Sequence, residues 1–277
     1  MAKAGTQVAT RTQGGAVAPY DYGEYSGMGM DKVGRDELLI PFLAILQPMT
    51  PIVVEGDNDN AKAGRYYNTI TGDLYDGEKD GVVFQLVDFE RMFVEWVPRD
   101  SGGGIAGRYQ PEDDFVKREI ERNNNSVVGI KLENGNDLVE TYYAYGNILT
   151  ADGKEVDSFA VLPLKSTNIK PFRTLLTALR MIKGKPPLFA FKVVLRCTKE
   201  KNDSGTWYQF LARPFGDDWR GSMIDPKAEA PLLEAATGLI EMVRSGAAKA
   251  DYANEGKATT PNDGAKGRGD TDDDVPF

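Results

Sequence analysis

The chain has 277 residues, 41% of them hydrophobic, with a single cysteine, no histidine and a net charge of −9. That apolar content suffices for a real core, and the length allows one large or two small domains, of which one folded domain with flexible ends is the expected arrangement. Without histidine there is no Ser-His or Cys-His nucleophile and no usual general base, and Cys197 alone supports neither an intramolecular disulfide nor a thiolate zinc cluster.

Residues 1–34 are rich in Gly, Ala, Thr and Gln, with Tyr20, Tyr22 and Tyr25 scattered among them, and read as a flexible arm. In LLIPFLAILQPMTPIVV the residues Pro41, Pro48 and Pro51 forbid a continuous helix and favour extended structure with turns. GRYYNTITGDLYDGEKDG alternates short β-prone pieces with Gly and Asp turns. The run from Val82 to Pro98 is dense in β-branched and aromatic residues and too long for one ordinary strand, so a bent strand or two strands are predicted. PEDDFVKREIERNNN suits a short helix, and DLVETYYAYGNIL with EVDSFAVLPL flanks TADGK as a hairpin. Ser166 or Thr167 is a cap candidate for a helix carrying Leu175, Leu176, Leu179 and Ile182 at helical spacing, with Gly184 as its stop before Pro186. A final hairpin pairs LFAFKVVLRCTK with TWYQFLARPF across KNDSG, an amphipathic helix spans Ala228 to Arg244, and residues 247–277 read as a disordered acidic tail.

This order predicts a mainly β fold with few helices (α+β), in which residues 35–246 form an OB-like Greek-key barrel core with its helix between the third and fourth barrel strands. Small sandwiches and other α+β folds share the same element order.

Charge is segregated along the chain. Between Lys165 and Lys201, ten cations (Lys165, Lys170, Arg173, Arg180, Lys183, Lys185, Lys192, Arg196, Lys199 and Lys201) face only Glu200, a local +9 that leaves −18 for the remainder. Single-strand binding needs cations that track phosphates and aromatic faces on which bases stack. Phe172, Phe189, Phe191, Trp207, Tyr208 and Phe210 interleave with these cations, and strand alternation assigns Phe189, Phe191 and Phe210 to the core while Trp207 and Tyr208 are candidates for base contact. Trp96 and Phe93 with Tyr142, Tyr143 and Tyr145, and Tyr66 with Tyr67, are further aromatic groups for which burial is the commoner fate.

The most specific signal is the ending GRGDTDDDVPF, an anionic run followed by Val275, Pro276 and a terminal Phe277. An exposed ring beside a chain carboxylate, preceded by acids, is a portable ligand for a basic-rimmed apolar pocket. The ending resembles the acidic tip of bacterial single-stranded DNA-binding proteins through Asp272, Asp273, Asp274, Val275, Pro276 and Phe277. The body is similar to a divergent phage-encoded relative, with IPFLAILQPMTP and GRYYNTITG as the segments that resemble phage replication proteins. The resemblance implies sequence-independent binding and protection of single-stranded DNA during replication, recombination or repair, and recruitment of replication or recombination proteins by the tip. It leaves open whether the chain forms a homo-oligomer. No membrane partner, enzyme activity, cofactor or metal is expected, and the expected location is the cytoplasm, that of the bacterial host for a phage-encoded chain. The charge partition further predicts that the tail occupies the DNA groove at low salt and is displaced by DNA.

Two other functions fit fewer residues. A protein-interaction or recombination-mediator module would display the tail without touching DNA. A magnesium-dependent nuclease would need Glu112, Asp113 and Asp114, or Asp217 and Asp218, but adjacent strand residues point to opposite faces and no third carboxylate stands at a recognisable spacing. Gly102, Gly104 and Gly107 satisfy G-x-G-x-x-G, yet Pro111 and three acids stand where a pyrophosphate-binding helix should begin, so a loop is predicted.

Overall fold

The computed structural model describes residues 39–56, 58–203, 205–246, 249–252 and 255, with Arg99 described only in its backbone. The arm at residues 1–34 and the tip at Asp272–Phe277 lie outside the described residues. The elements in order are β1 (Leu39–Ile40), β2 (Leu43–Ile45), α1 (Pro51–Glu55), β3 (Arg65–Asn68), β4 (Leu74–Asp76), β5 (Val82–Trp96), β6 (Ile105–Tyr109) and α2 (Asp114–Arg122). There follow β7 (Ile130–Lys131), β8 (Asp137–Leu149), β9 (Val156–Lys165), α3 (Ile169–Arg180), β10 (Lys192–Asn202), β11 (Gly205–Pro214), α4 (Ala230–Arg244) and β12 (Lys249–Ala250). The described chain is mainly β with four α-helices, and its sheets are open.

The centre of the main sheet is β5, which pairs along its length with β8. Its opposite edge is divided between β10, at Val82–Gln85, and β6, at Phe93–Trp96. β8 in turn pairs with β9 across the predicted hairpin, and β10 with β11 across the second one. The fifteen-residue run is one bent strand, because the register slips between Leu86 and Asp88 and the extra residue bends β5 there.

Alternation then gives the sheet two apolar faces. Phe84, Leu86, Tyr142, Ala144, Leu162, Val193, Leu195 and Phe210 meet Phe172, Leu175 and Leu179 of α3, which recur along one helix face. Val87, Tyr143, Tyr145 and Val161 point the other way, against Ala236 and Leu239 of α4. Among the described residues no ladder joins β9 to β11. The 3-10 turn Ser166–Asn168 bridges them instead: Phe210 N–H donates to Asn168 Oδ1 at 2.8 Å and Gln209 Nε2 to the Thr167 carbonyl at 2.7 Å.

A small sheet of β2, β3 and β4 docks on the β10–β11 hairpin. The Tyr66 hydroxyl donates to the Arg196 carbonyl at 2.9 Å, and Cys197 N–H to the Gly77 carbonyl at 2.7 Å. A side chain at Gly77 would stand 2.2 Å from the Gly64 carbonyl oxygen, so this contact requires glycine.

Three local features differ from the sequence expectation. Pro51 begins a short helix rather than an extended turn, because proline suits the first helical position and Gly56 ends the helix at φ +71°. Leu188–Ala190 forms a 3-10 turn, so β10 begins at Lys192. Beyond Gly246, β12 pairs in parallel with β1, Asp251 N–H donates to the Ile40 carbonyl at 2.9 Å, and Glu255 is buried. The Glu255 carboxylate accepts hydrogen bonds from the Tyr143 hydroxyl at 2.9 Å and Arg108 at 2.7 Å, and Arg108 lies over the Tyr252 ring. This polar cluster, invisible to hydrophobic periodicity, ties the segment to the sheet.

Candidate nucleic-acid interface

The β10–β11 register pairs Asn202 with Gly205 and thereby fixes which side chains share a face. Val193, Leu195 and Phe210 face the core, whereas Val194, Arg196, Thr198 and Glu200 of β10 share the opposite face with Trp207, Gln209, Leu211 and Arg213 of β11. All of these except exposed Arg213 are half-buried, and α4 does not cover them as it covers β8. Trp207 stands across from Glu200, and Arg196 across from Leu211. Arg196 Nε and Trp207 Nε1 find no acceptor among the described residues. Toward the turn, Lys199 and Lys201 are exposed.

A second cationic group lies on α3 and after it. Lys170, Arg173 and Arg180 are on its solvent side, and Lys183 and Lys185 are exposed in the turn that follows. Arg173 donates to the Tyr142 hydroxyl at 3.1 Å and to Glu140 Oε1 at 2.6 Å, and Arg91 Nε reaches the same carboxylate oxygen at 2.7 Å. Bonding to Tyr142, followed by the attraction of Glu140, holds the Arg173 guanidinium above its ordinary pKa despite partial desolvation.

The ten cations are therefore not gathered in one groove. From Lys192 to Lys201 the strand advances about 30 Å, at roughly 3.3 Å per residue, so the run begins in a buried ion pair and ends at the hairpin turn, while the α3 cations stand on a helix whose preceding turn bonds to Gln209 and Phe210 of β11. Lys192 is buried, its Nζ 2.6 Å from Glu229 Oε1 and 5.4 Å from the centre of the Phe215 ring. Lys165 Nζ sits 3.7 Å over the Trp96 ring. Tyr208 is only 8% exposed, and its ring packs against Gly64. Trp207 is the half-exposed ring of the pair.

Most other aromatics are interior. Phe172, Phe191, Phe210, Phe93, Tyr66, Tyr67, Tyr142, Tyr143 and Tyr145 are buried, and Phe189 and Trp96 pack at the edge of the core under α4. Arg213 and Gln209 were absent from the sequence-based site, although the Asn202–Gly205 turn sets the parity that places them beside Trp207 and Arg196. Arg91 was also missed, since it lies far in sequence from the basic run.

The acidic pairs have local partners: Asp113 Oδ2 accepts Gln110 N–H at 2.8 Å, and Asp218 Oδ1 accepts Gly221 N–H at 2.7 Å. Among the described residues no group of three or more metal-binding side chains converges. The glycine triplet turns β5 back into antiparallel β6, with Gly102, Gly103 and Gly104 all at positive φ, so no phosphate-binding strand-to-helix turn forms there. No described helix is long and apolar enough to cross a membrane.

No match to the chain was found among curated proteins or among solved structures. A family model described as Pam3 phage gp34-like protein matches residues 9–249, which span the whole main sheet and both of its covering helices. The chain belongs to the Pam3 phage gp34-like family of phage proteins.

Proposed function

We propose that this phage protein binds and protects single-stranded DNA with little regard to sequence, and that it recruits replication or recombination proteins through the tip at Asp272–Phe277. The observation that carries the proposal is the order of the long strands: β5, β8 and β9 run as a meander, α3 follows, and the β10–β11 hairpin returns to pair with the first half of β5. That order supports reading β5, β8, β9, β10 and β11 as strands one to five of a partly open OB-like Greek-key barrel. In such barrels the turn between strands four and five is one of the ligand-binding loops, and here it joins the strands that bear Lys199, Lys201 and Trp207.

The half-exposed face of the hairpin supports the same reading. It combines an indole with Arg196 and Arg213, the pairing of stacking surface and phosphate-tracking charge that unpaired strands require. On the same side of the sheet α4 packs on β8 and leaves the outer face of the hairpin uncovered. Lys192 and Tyr208 are left out of the proposed contact set, and α3 contributes cations at its flank.

The test is titration of labelled oligo-dT, a duplex of equal length and the corresponding RNA at two salt concentrations, with Trp207 fluorescence as a second signal. Preferential binding of the single strand with indole quenching is expected, and Trp207→Ala should weaken it by about 1–3 kcal/mol, the contribution of one stacked base. A protein that ignores oligonucleotides while still capturing partners through its tip would be a mediator, and strand shortening in magnesium would make it a nuclease.

A further inference from the structure

Beside α3 lies a groove of about 640 Å³. One wall is the solvent side of α3 and the other the loop at Val127 and Val128, with Glu140 in its floor. Val128 and Met181 are 78% and 81% exposed, the two highest values among the large hydrophobic side chains of the described residues, and both line this one groove. Lys170 and Arg173 stand on its rim. The Glu140 carboxylate is already bridged by Arg91 and Arg173, and the Lys170 ammonium forms no ion pair with a described residue, so the groove carries a net positive charge over an apolar lining. An apolar lining with cations on its rim suits an acidic peptide that ends in an apolar side chain.

The chain carries a ligand of the complementary pattern. Asp272, Asp273 and Asp274 precede Val275, Pro276 and Phe277 with its terminal carboxylate. The tether starts on the other face of β8 from the groove. Glu255 is fixed by the Tyr143 hydroxyl, while Tyr142, its neighbour on β8, points to the opposite face and holds Arg173 on the groove rim. Sixteen residues, 256–271, separate Glu255 from Asp272. A coil of that length spans roughly 20–24 Å on average and about 55 Å at full extension, enough to pass around the sheet edge.

We propose that the chain's own tip docks in the α3 groove, with Phe277 and Val275 against Val128 and Met181 and the aspartates toward Lys170 and Arg173. A thioether is an adaptable partner for an aromatic ring, and the rim cations favour the anionic approach. Docking makes the tip unavailable to a partner until it is released, which lowers its apparent affinity for that partner by the free fraction. The inference does not depend on the hairpin binding DNA.

The test uses the full chain with Phe277→p-benzoylphenylalanine, mixed with an isotopically labelled copy, irradiated without DNA and mapped by mass spectrometry. The expected links join position 277 to Met181 or Val128 within one chain, and free DTDDDVPF peptide reduces their yield. Met181→Glu, a change at an exposed position that leaves the fold intact by circular dichroism, should cut the yield by roughly tenfold or more, the factor carried by one buried methionine. Links confined to the β10–β11 hairpin, links only between chains, or a yield indifferent to Met181→Glu would overturn the proposal. Because no nucleic acid is present, failure here is distinguishable from failure to bind DNA.

Discussion

The side chain of Gln47 and the backbone of Tyr208 exchange two hydrogen bonds, Gln47 Nε2 to the Tyr208 carbonyl at 2.9 Å and Tyr208 N–H to Gln47 Oε1 at 2.8 Å. One amide thus does at this edge of β11 what a neighbouring strand does elsewhere. Gln47→Leu keeps the bulk but leaves a part-buried N–H and carbonyl unmatched, and should cost about 1–3 kcal/mol. Urea unfolding followed by tryptophan fluorescence measures it; an unchanged midpoint would show that the clamp contributes nothing to stability.

Cys197 should be silent to thiol reagents while the protein is folded. Burial first, then the nearby charges of Glu78 and Asp76, push its thiol up to about 12, so almost no thiolate exists at neutral pH. Iodoacetamide at pH 8 is expected to leave the native protein unmodified and to label it fully in urea. Rapid stoichiometric labelling without denaturant would contradict this.

Glu95 introduces an acid-sensitive contribution to stability. Burial alone would raise its pKa, but hydrogen bonds from Asn134, Asn136 and Tyr109 outweigh burial and hold it below the ordinary 4.5. A carboxyl depressed in the folded state stabilises the fold above its unfolded pKa, and that contribution is lost as pH falls through the folded value. Stability from this site should therefore be complete at neutral pH and fade below about pH 4.5. Glu95→Gln should flatten that part of the stability-against-pH curve, and an identical acid limb in both proteins would refute the assignment.

Two sets of lysines should behave differently under the proposed function. Lys199→Gln with Lys201→Gln is expected to weaken single-strand binding and reduce its salt slope by about 1.4, at roughly 0.7 per phosphate contact. Lys192→Met, which breaks the buried pair with Glu229, should lower thermal stability and leave the slope unchanged. Equal slopes in the wild type and the Lys199/Lys201 variant would remove the hairpin end from the interface.

The long elements were legible because their patterns are local. β-branched density announced β5, Asp-Gly chemistry announced the β8–β9 hairpin, and the spacing of Leu175 and Leu179 announced the buried face of α3. Coverage was not legible. Period-two alternation placed Lys192 and Arg196 on one face, but it did not reveal that Glu229, just before α4, would reach the first and leave the second at the surface. The run from Lys165 to Lys201 looked like one basic patch because charge was counted along the chain. Folding distributes it between a helix flank, an interior ion pair and the end of a hairpin. The Gln47 clamp and the Glu255 anchor join residues more than a hundred positions apart through single polar side chains, which leave no periodic trace.

The two-residue parallel ladder between Leu39–Ile40 and Lys249–Ala250 makes the entry of the fold responsible for how its exit is held. Cutting the chain back through Ile40 would strip β12 of its partner and leave the segment held by the Glu255 cluster; each opening of that cluster would then move the attachment point toward Gly246. The tether to Asp272 would then lengthen from 16 to 25 residues. Under the docking proposed above, with the tether treated as a coil whose effective concentration falls with the three-halves power of length, the tip's local concentration at the α3 groove would roughly halve. Truncation at one end of the chain would thereby loosen a device carried at the other.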